Sequence, residues 1–239
     1  MSTAIGRSRP NTRHRASTGL VALFVLAFVA LVPETAGIAR ADESETIGFD
    51  FSYTKPNPAA MAEAGYEFLI GYVSPTPAKN LSRRQVAAYR RAGISVGLVW
   101  ESTAGRALEG RAAGRQDGRA AEKQANALGY PVRAVIFFAV DKNTDRSDRP
   151  AIRAYAEAFN LATRRPVGIF GEADVLDHFV TPGKQPVRYG WQTRAWSHGR
   201  VSKKADLFKR VGHSLPVPDG ISPKAFDEVL EISPVPLAW

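Results

Sequence analysis

The stretch Ala134-Val-Ile-Phe-Phe-Ala-Val140, followed directly by Asp141, decides the fold of this chain. A continuous apolar run has no polar face, so it is typical of a strand that is covered on both sides, as in a parallel sheet with helices over it. The carboxylate of Asp141 therefore lies directly after the C-terminal end of the strand. The same arrangement recurs in the runs that end at Asp50, Glu101 and Glu172.

Helical patterns alternate with these runs, which is typical of an α/β fold with parallel strands. Helices are predicted over 56–64, 82–92, 111–128, 148–164 and 172–179, and further strands over 66–72, 188–193, 206–211 and 229–232. The second of these helices begins with a capping box, Ser82 with Gln85. The last two strands leave little room for helices between them. We therefore predict a TIM-type (β/α) barrel that is incomplete or flattened in its second half.

The strand ends of such a barrel converge on one mouth, where active sites are built. The four strand-end acids, Asp50, Glu101, Asp141 and Glu172, are therefore expected to share one pocket. We expect the short proline-rich end of the chain, 233–239, to be a strap over the body or a loose tail.

Residues 1–41 have the pattern of a secretory signal peptide. Four arginines precede an apolar run over 20–32, and Ala39-Arg40-Ala41 supplies an A-x-A cleavage site. The run is shorter than the roughly twenty residues that span a bilayer. We expect cleavage before Asp42, a single domain over 42–239 and a secreted or cell-envelope location. General secretion is favoured over the twin-arginine route, since the arginines in Thr12-Arg-His-Arg15 are not adjacent.

Composition excludes several kinds of site. The chain has no cysteine, so disulfides, thiolate catalysis and cysteine-bound zinc are excluded. The histidines after the leader, His178, His198 and His213, are too widely spaced for a metal-binding pair, and we expect neither a metal nor a cofactor. No P-loop and no G-x-S-x-G elbow is present. A third possible function, a lipid or phosphate-ester hydrolase on a similar barrel, is poorly supported, because the chain lacks suitably placed histidines to serve as metal ligands or bases.

Charge gives a weaker indication. Removing the leader lowers the formal net charge from +9 to +5, because five of the 32 basic and one of the 23 acidic residues lie in it. This modest excess favours an anionic surface such as a cell wall or phospholipid headgroups, although basic faces are often simply solvated. We expect no nucleic-acid binding, because no nucleic-acid module is legible.

Six segments occur in a recognisable order: Gly48-Phe-Asp50-Phe-Ser52, Gly71-Tyr-Val73, Gly114-Arg-Gln-Asp-Gly118, Phe137-Phe-Ala-Val-Asp141, Val167-Gly-Ile-Phe-Gly171 and Trp191-Gln-Thr-Arg-Ala-Trp196. In this order they resemble the glycoside-hydrolase-like TIM barrels of domain-of-unknown-function family 1906, secreted proteins related to the family 25 lysozymes. The resemblance covers most of 46–232. It implies that Asp50, Glu101 and Asp141 line a sugar cleft.

Two segments depart from the pattern that the resemblance implies. Family 25 lysozymes end the fourth strand with an Asp-x-Glu pair, whereas this chain has Ala139-Val140-Asp141, so the first acid is missing and the second is shortened. Similar proteins finish with Asp-x-Asn near the cleft, whereas Asp227-Glu-Val229 keeps the acid and lacks the amide. These departures leave open an alternative, a non-catalytic cell-wall glycan-binding or scaffold protein that has lost hydrolytic activity.

Hydrolysis of a glycosidic bond needs one protonated carboxyl group and a second group that stabilises or attacks the oxocarbenium-like centre. Glu101 and Asp141 follow neighbouring strands and are the candidate pair. Glu101 comes after Trp100, and apolar surroundings favour a protonated carboxyl, so we predict Glu101 as the acid and Asp141 as the base or stabiliser. Asp50, between two phenylalanines, is predicted to face the barrel axis. Each acid also has a structural alternative, a helix cap, an arginine pair or a buried acid.

Aromatic and polar side chains near the strand ends are candidate sugar contacts, although strand aromatics also serve as core. The predicted substrate-binding residues are Glu172, Tyr189, Trp191, Gln192, Trp196 and Asp227. We therefore predict a secreted, monomeric glycoside-hydrolase-like protein, peripherally associated with the envelope. It would act on or bind a cell-wall polysaccharide of peptidoglycan type.

Overall fold

The computed structural model describes residues 45–238, in which eight strands form the ring of a barrel. The strands are β1 (Ile47–Asp50), β2 (Phe68–Val73), β3 (Ser95–Trp100), β4 (Ile136–Ala139), β5 (Val167–Gly171), β6 (Tyr189–Gln192), β7 (Leu207–Lys209) and β8 (Asp227–Glu231). The helices are α1 (Pro58–Glu63), α2 (Arg83–Arg91), α3 (Gly110–Leu128), α4 (Arg149–Ala162) and α5 (Ala173–Phe179), with short 3-10 helices at Pro77–Lys79 and Arg106–Glu109. The predicted signal peptide lies outside the described residues.

The barrel closes in sequence order, from β1 round to β8. Strands β1 to β7 run parallel to one another, and β8 is antiparallel to both of its neighbours, β7 and β1. The TIM-type α/β prediction is therefore confirmed. The ring itself is complete. Its second half is reduced in another way, since no helix separates β6, β7 and β8 within residues 45–238 and the last strand is reversed.

Alternating side chains divide the apolar residues into an interior and an outer layer. Inside the barrel, the ring of Trp191 packs against Phe137 and Phe170, with ring centres 5.9 and 4.5 Å apart. Outside, Phe49 and Phe51 pack with the residues under the helices. Burial of each such side chain contributes roughly 1.5–3 kcal/mol. The two layers hold the strand ends in fixed positions, and these ends carry the candidate site.

The helices begin where local sequence predicts. Ser82 accepts a hydrogen bond from the Gln85 amide, and the Gln85 side chain accepts one from the Ser82 amide, so the predicted capping box is confirmed. Helix α3 packs very closely on α4, because a Cβ atom on Gly114 would lie 2.3 Å from the carbonyl oxygen of Tyr155. None of the helices in the described part of the chain is long and apolar enough to cross a membrane.

The end of the chain closes the bottom of the barrel. Ala238 exchanges two backbone hydrogen bonds of 2.9 Å with Val96, near the start of β3. The Val135 amide donates to the carbonyl oxygen of Pro236, and Val235 is buried with the interior side chains. The described part of the proline-rich end is therefore a strap at the N-terminal ends of the strands. The opposite mouth is where the strand-end acids lie.

Candidate active site

Asp50 ends β1 and points into the barrel, as its place between two outward-packed phenylalanines predicts. The side chain is only 2% exposed. Asp227, the first residue of β8, lies directly opposite Asp50 in the strand register. It reaches this mouth because β8 runs antiparallel, which places the start of β8 beside the end of β1. The reversed strand thus supplies the site with an acid.

Lys209, at the end of β7, bridges these two acids. Its Nζ lies 3.2 Å from Oδ2 of Asp50 and 2.7 Å from Oδ2 of Asp227. Burial lowers the pKa of Lys209, but the charges of the two carboxylates outweigh it, so the net pKa is raised above the usual lysine value. Lys209 therefore stays positively charged at neutral pH and holds both acids at the mouth.

The carboxyl group of Asp50 titrates near neutral pH. Burial raises its pKa from 3.8 to about 6, against the opposing charge of Lys209, and Asp227 and Glu101 raise the pKa further. The pKa values of Asp50 and Lys209 are both raised, because one lysine, shared with Asp227, does not offset the desolvation of a buried carboxylate. Oδ1 of Asp50 is buried and has no hydrogen-bond partner among the described residues.

Glu101, directly after β3, is ion-paired on the other side of the mouth. Lys79 Nζ lies 2.8 Å from its Oε1, and both side chains are mostly buried. The same ammonium group lies 5.4 Å from the ring centre of Tyr72 and 5.7 Å from that of Tyr53, within cation–π range. Lys79 therefore pairs with Glu101 and links it to two tyrosines.

Tyr72 lies among all four acids of the mouth. Burial raises the pKa of its hydroxyl well above the usual value, and the charges of Asp50, Glu101, Asp141 and Asp227 raise it further. The four carboxylates are thus close enough to act on one side chain. The hydroxyl of Tyr72 stays protonated and is available as a hydrogen-bond donor to a bound ligand.

Asp141, after β4, differs from the other three acids because it has no hydrogen bond or ion pair with any residue in 45–238. It is half-buried. Burial and the neighbouring Glu101 raise its pKa, while Lys209 and Lys79 lower it, and the net pKa is raised. Asp141 is therefore a partly exposed carboxyl with a raised pKa, and its oxygens are free for a ligand.

Glu172 is not part of this group. Its Oε1 accepts hydrogen bonds from the amide and the hydroxyl of Thr144, at 2.8 and 2.7 Å. These bonds tie the start of α5 to the loop after β4. The residue is almost fully buried and its Oε1 is committed to Thr144, so it is not placed to contact a substrate at the mouth.

Three predicted sugar contacts on β6 are also committed elsewhere. Trp191 is 1% exposed and fills the barrel interior, so its ring has no face for a sugar in this conformation. Gln192 is fully buried; its amide donates to the carbonyl oxygen of Arg200 and accepts from the Ser202 amide. Tyr189 begins β6 and thus lies at the opposite end of the barrel from the mouth. Trp191 and Tyr189 therefore pack in the barrel core, which is the alternative role of strand aromatics.

Trp196 remains a candidate contact. It lies in the loop after β6 and is 36% exposed, with a backbone φ of +58° that is uncommon for residues other than glycine. The next residue anchors this conformation, because the hydroxyl of Ser197 donates to the carbonyl oxygen of Thr193 and accepts from the amide of Ala173. Strain held in place by buried hydrogen bonds is typical of functional positions.

Sequence reasoning missed both lysines of the mouth and the exposed Tyr53. Lys209 had one available signal, since it alternates with the apolar Leu207 and so lies on the same inward face. Lys79 ends a one-turn 3-10 helix and Tyr53 lies in a loop, and neither segment has a periodicity that predicts the direction of a side chain. Among the described residues, no three histidines, aspartates or glutamates are placed to hold a metal ion together.

The sequence matches the family model for the Rv2525c-like, glycoside hydrolase-like domain over residues 59–218. The chain belongs to this family. The resemblance to glycoside-hydrolase-like barrels related to family 25 lysozymes is thereby confirmed. No curated protein matches the sequence.

Solved structures share the fold at low sequence identity. The Tat-secreted protein Rv2525c of Mycobacterium tuberculosis, in complex with L-tartrate, matches with a TM-score of 0.67 and 18% identity, over 80% of this chain and 98% of that one. A family 25 glycosyl hydrolase of Bacillus anthracis matches with a TM-score of 0.51 and 10% identity, over 81% and 91%. The autolysin LytC of Streptococcus pneumoniae, in complex with a synthetic peptidoglycan ligand, gives 0.53 and 11%, over 78% and 46%.

Proposed function

We propose that the barrel mouth binds a peptidoglycan-type glycan and hydrolyses it, with Asp141 as the general acid. The observation that carries this proposal is the environment of Asp141, a half-buried carboxyl with a raised pKa and no partner among the described residues. A general acid must be protonated near the working pH and must be free to reach the glycosidic oxygen. The raised pKa of Asp141 favours the first requirement and its unpaired oxygens meet the second, whereas Asp50 is too buried to touch a substrate.

Glu101 is the second carboxylate in this mechanism. The ammonium group of Lys79 lies 2.8 Å from its Oε1 as a counter-ion, and a carboxylate is the group that stabilises or attacks a developing oxocarbenium centre. The negative charge of Glu101 is also one reason why the pKa of Asp141 is raised. This assignment reverses the roles predicted from sequence, because the apolar neighbour Trp100 faces away from the mouth and Lys79 faces into it.

Asp50 and Lys209 act as positioning residues. Lys209 joins Asp50 to Asp227 and contributes a positive charge that opposes the rise in the pKa of Asp141. Loss of Lys209 is therefore expected to raise the pKa of Asp141 and to release Asp227. Tyr72, Tyr53 and Trp196 supply the hydroxyl donor and the exposed aromatic faces that carbohydrate sites use.

The choice of glycan draws support from the relatives. The autolysin LytC was solved with a synthetic peptidoglycan ligand, and the Bacillus anthracis structure is a family 25 glycosyl hydrolase. Rv2525c is described as Tat-secreted, which supports export of this chain through the predicted leader. We propose that the chain works outside the cytoplasm, as a monomer at the cell wall.

A second function, binding without hydrolysis, is favoured by one observation. Ala139 stands where the lysozyme pattern has its first acid, and its side chain lies with the interior residues of the barrel, at the mouth end of β4. An acid here would face the site directly. The chain has therefore lost a carboxylate at the position where one would act, as is expected of a binding protein derived from a hydrolase.

The test is release of reducing ends from purified peptidoglycan by the purified protein, together with sedimentation of the protein on the same insoluble material. We expect Asp141→Asn and Glu101→Gln each to lower the rate by roughly a hundredfold or more, while Asp219→Asn, at an exposed surface position, has no effect. Retention on the wall without release would establish the binding function. Neither retention nor release would overturn both proposals.

A further inference from the structure

Helix α3 carries a row of basic side chains on the outer surface of the barrel. Arg111, Arg115, Arg119 and Lys123 are all exposed and follow one another at four-residue spacing. With a rise of about 1.5 Å per residue, successive members of the row are about 6 Å apart along the helix axis. We call these four residues the α3 ridge.

The acids around the ridge are already paired, three of them with bases outside it. Glu109 and Asp117 bind Arg106, and Glu122 binds the buried Arg165. Glu157 of α4 pairs with Arg111, at the first turn of α3. Within residues 45–238 no ion pair or hydrogen bond neutralises Arg115, Arg119 or Lys123. Three adjacent cations of the ridge are thus free for an external anion.

Shallow grooves flank the ridge on both sides. One, of about 150 Å³, lies between the arginines and α4, where Ala158, Leu161 and Ala162 form the other wall. The second, open groove of about 510 Å³ is lined by Ala112, Gln116, Ala120 and the free cations. The close approach of α3 and α4 at Gly114 and Gly118 limits the depth of the first groove, and small alanines line both grooves. A flexible chain can therefore lie along the ridge and contact successive cations.

We propose that the α3 ridge binds a linear, phosphate-bearing polymer of the cell envelope. Regularly spaced cations with no internal partner suit a ligand with regularly repeated negative charges. An anionic membrane surface fits less well, because surface-binding helices present a broad apolar face. Here Leu161 is the one large apolar side chain among the groove-lining residues that is strongly exposed. The ridge is separate from the mouth, so this site does not depend on glycan hydrolysis.

The test uses inorganic polyphosphate as the probe and measures its affinity for the purified protein by titration at several salt concentrations. The ridge variant carries Arg115→Gln, Arg119→Gln and Lys123→Gln. The matched control loses the same charge at three exposed positions elsewhere, through Arg133→Gln, Lys184→Gln and Lys203→Gln. The ridge variant is expected to bind roughly tenfold more weakly. The affinity of the ridge variant should also fall less steeply as the salt concentration rises, because fewer counterions are released on binding.

Equal losses in both variants would mean that net charge alone attracts the polymer, and would overturn the proposal. So would unchanged binding in the ridge variant. Loss of binding to vesicles of anionic phospholipid without loss of polyphosphate binding would assign the ridge to a membrane instead. Sedimentation on peptidoglycan stripped of phosphate polymers reports on the mouth. It should be the same for wild type and ridge variant, whichever function the mouth has.

Discussion

From β1 to β5 the barrel is covered by helices, whereas from β6 to β8 it is covered mainly by irregular chain, with Leu176 of α5 reaching Gly190 on β6. In the first half the outer faces of the strands meet apolar helix faces, such as Tyr155 and Phe159 of α4 against Phe138. In the second half the corresponding positions hold buried polar side chains. Gln192 on β6 and Glu228 on β8 are both fully buried. The two halves solve the same problem of covering a strand by different physical means.

Glu228 shows how the second half is held together. Its carboxylate accepts hydrogen bonds from the amide and the hydroxyl of Ser214, from the amide of Leu215 and from the guanidinium of Arg210. One acid thus satisfies backbone groups of a loop that has no secondary structure of its own. The difference between the halves teaches that irregular chain can cover a barrel when buried acceptors order its amides.

The largest expected effect follows from removing that acceptor. Glu228→Ala leaves two amides and one hydroxyl without their shared partner, while Arg210 keeps its ion pair with Glu45. We expect it to lower the free energy of unfolding by about 4 kcal/mol. Urea unfolding measures the loss. Glu228→Gln, which keeps an acceptor oxygen and loses the charge, should lose less. Hydrogen exchange should accelerate first in β7 and β8, and equal acceleration in β2 and β3 would contradict the difference between the halves.

In the helical half, a substitution at Gly114 is expected to destabilise the fold by steric overlap. Gly114→Ala places a methyl group where only 2.3 Å separates it from the Tyr155 carbonyl oxygen, so α3 and α4 must move apart. We expect a loss of about 3 kcal/mol in the free energy of unfolding, as for overpacking in a tight core. Gly105→Ala is the control, because a Cβ atom there meets only the end of the Lys142 side chain, at 3.9 Å. A neutral Gly114→Ala would show that the helix pair is loosely packed.

The seam between the halves, where β8 meets β1, gives a pH-dependent prediction. The pKa of Asp50 is raised from 3.8 to about 6 by burial, so its contribution to stability is full below pH 3.8 and is lost as the pH rises through 6. Relative to Asp50→Asn, wild type should lose about 1.5 kcal/mol in the free energy of unfolding between pH 5 and pH 8. A difference that stays constant over this range would show that Lys209 fully offsets the burial of Asp50.

The helical half was largely predictable from sequence, because apolar runs, a capping box and helix-stop glycines each have a local physical cause. The direction of β8 was not. Nothing within Asp227–Glu231 distinguishes a parallel from an antiparallel strand, since direction is set by the neighbours and by the absence of a connecting helix. Asp227 nevertheless lies beside Asp50 at the mouth, and its role in substrate binding stays a prediction.

The candidate site divides in the same way. Asp50, Glu101 and Asp141 could be placed at the mouth because each follows a recognisable strand. Trp191 could not be assigned correctly, since an apolar side chain on a barrel strand faces either a ligand or the core, and the choice depends on which neighbours fill the interior. The paired lysines were missed because their partners are distant in sequence: Lys209 is 159 residues from Asp50.

The smallest expected effect tests whether a buried acceptor matters less where helices already cover the strands. Glu172 orders the loop after β4 through Thr144, as Glu228 orders the loop after β7, but it begins α5 and lies in the helical half. We expect Glu172→Ala to lower the free energy of unfolding by about 1 to 2 kcal/mol, because only two hydrogen bonds are lost and no ion pair is broken. Urea unfolding beside Glu228→Ala gives the comparison. If Glu172→Ala cost as much as Glu228→Ala, helical cover would not reduce the need for buried acceptors, and polar anchoring would be a property of the whole barrel.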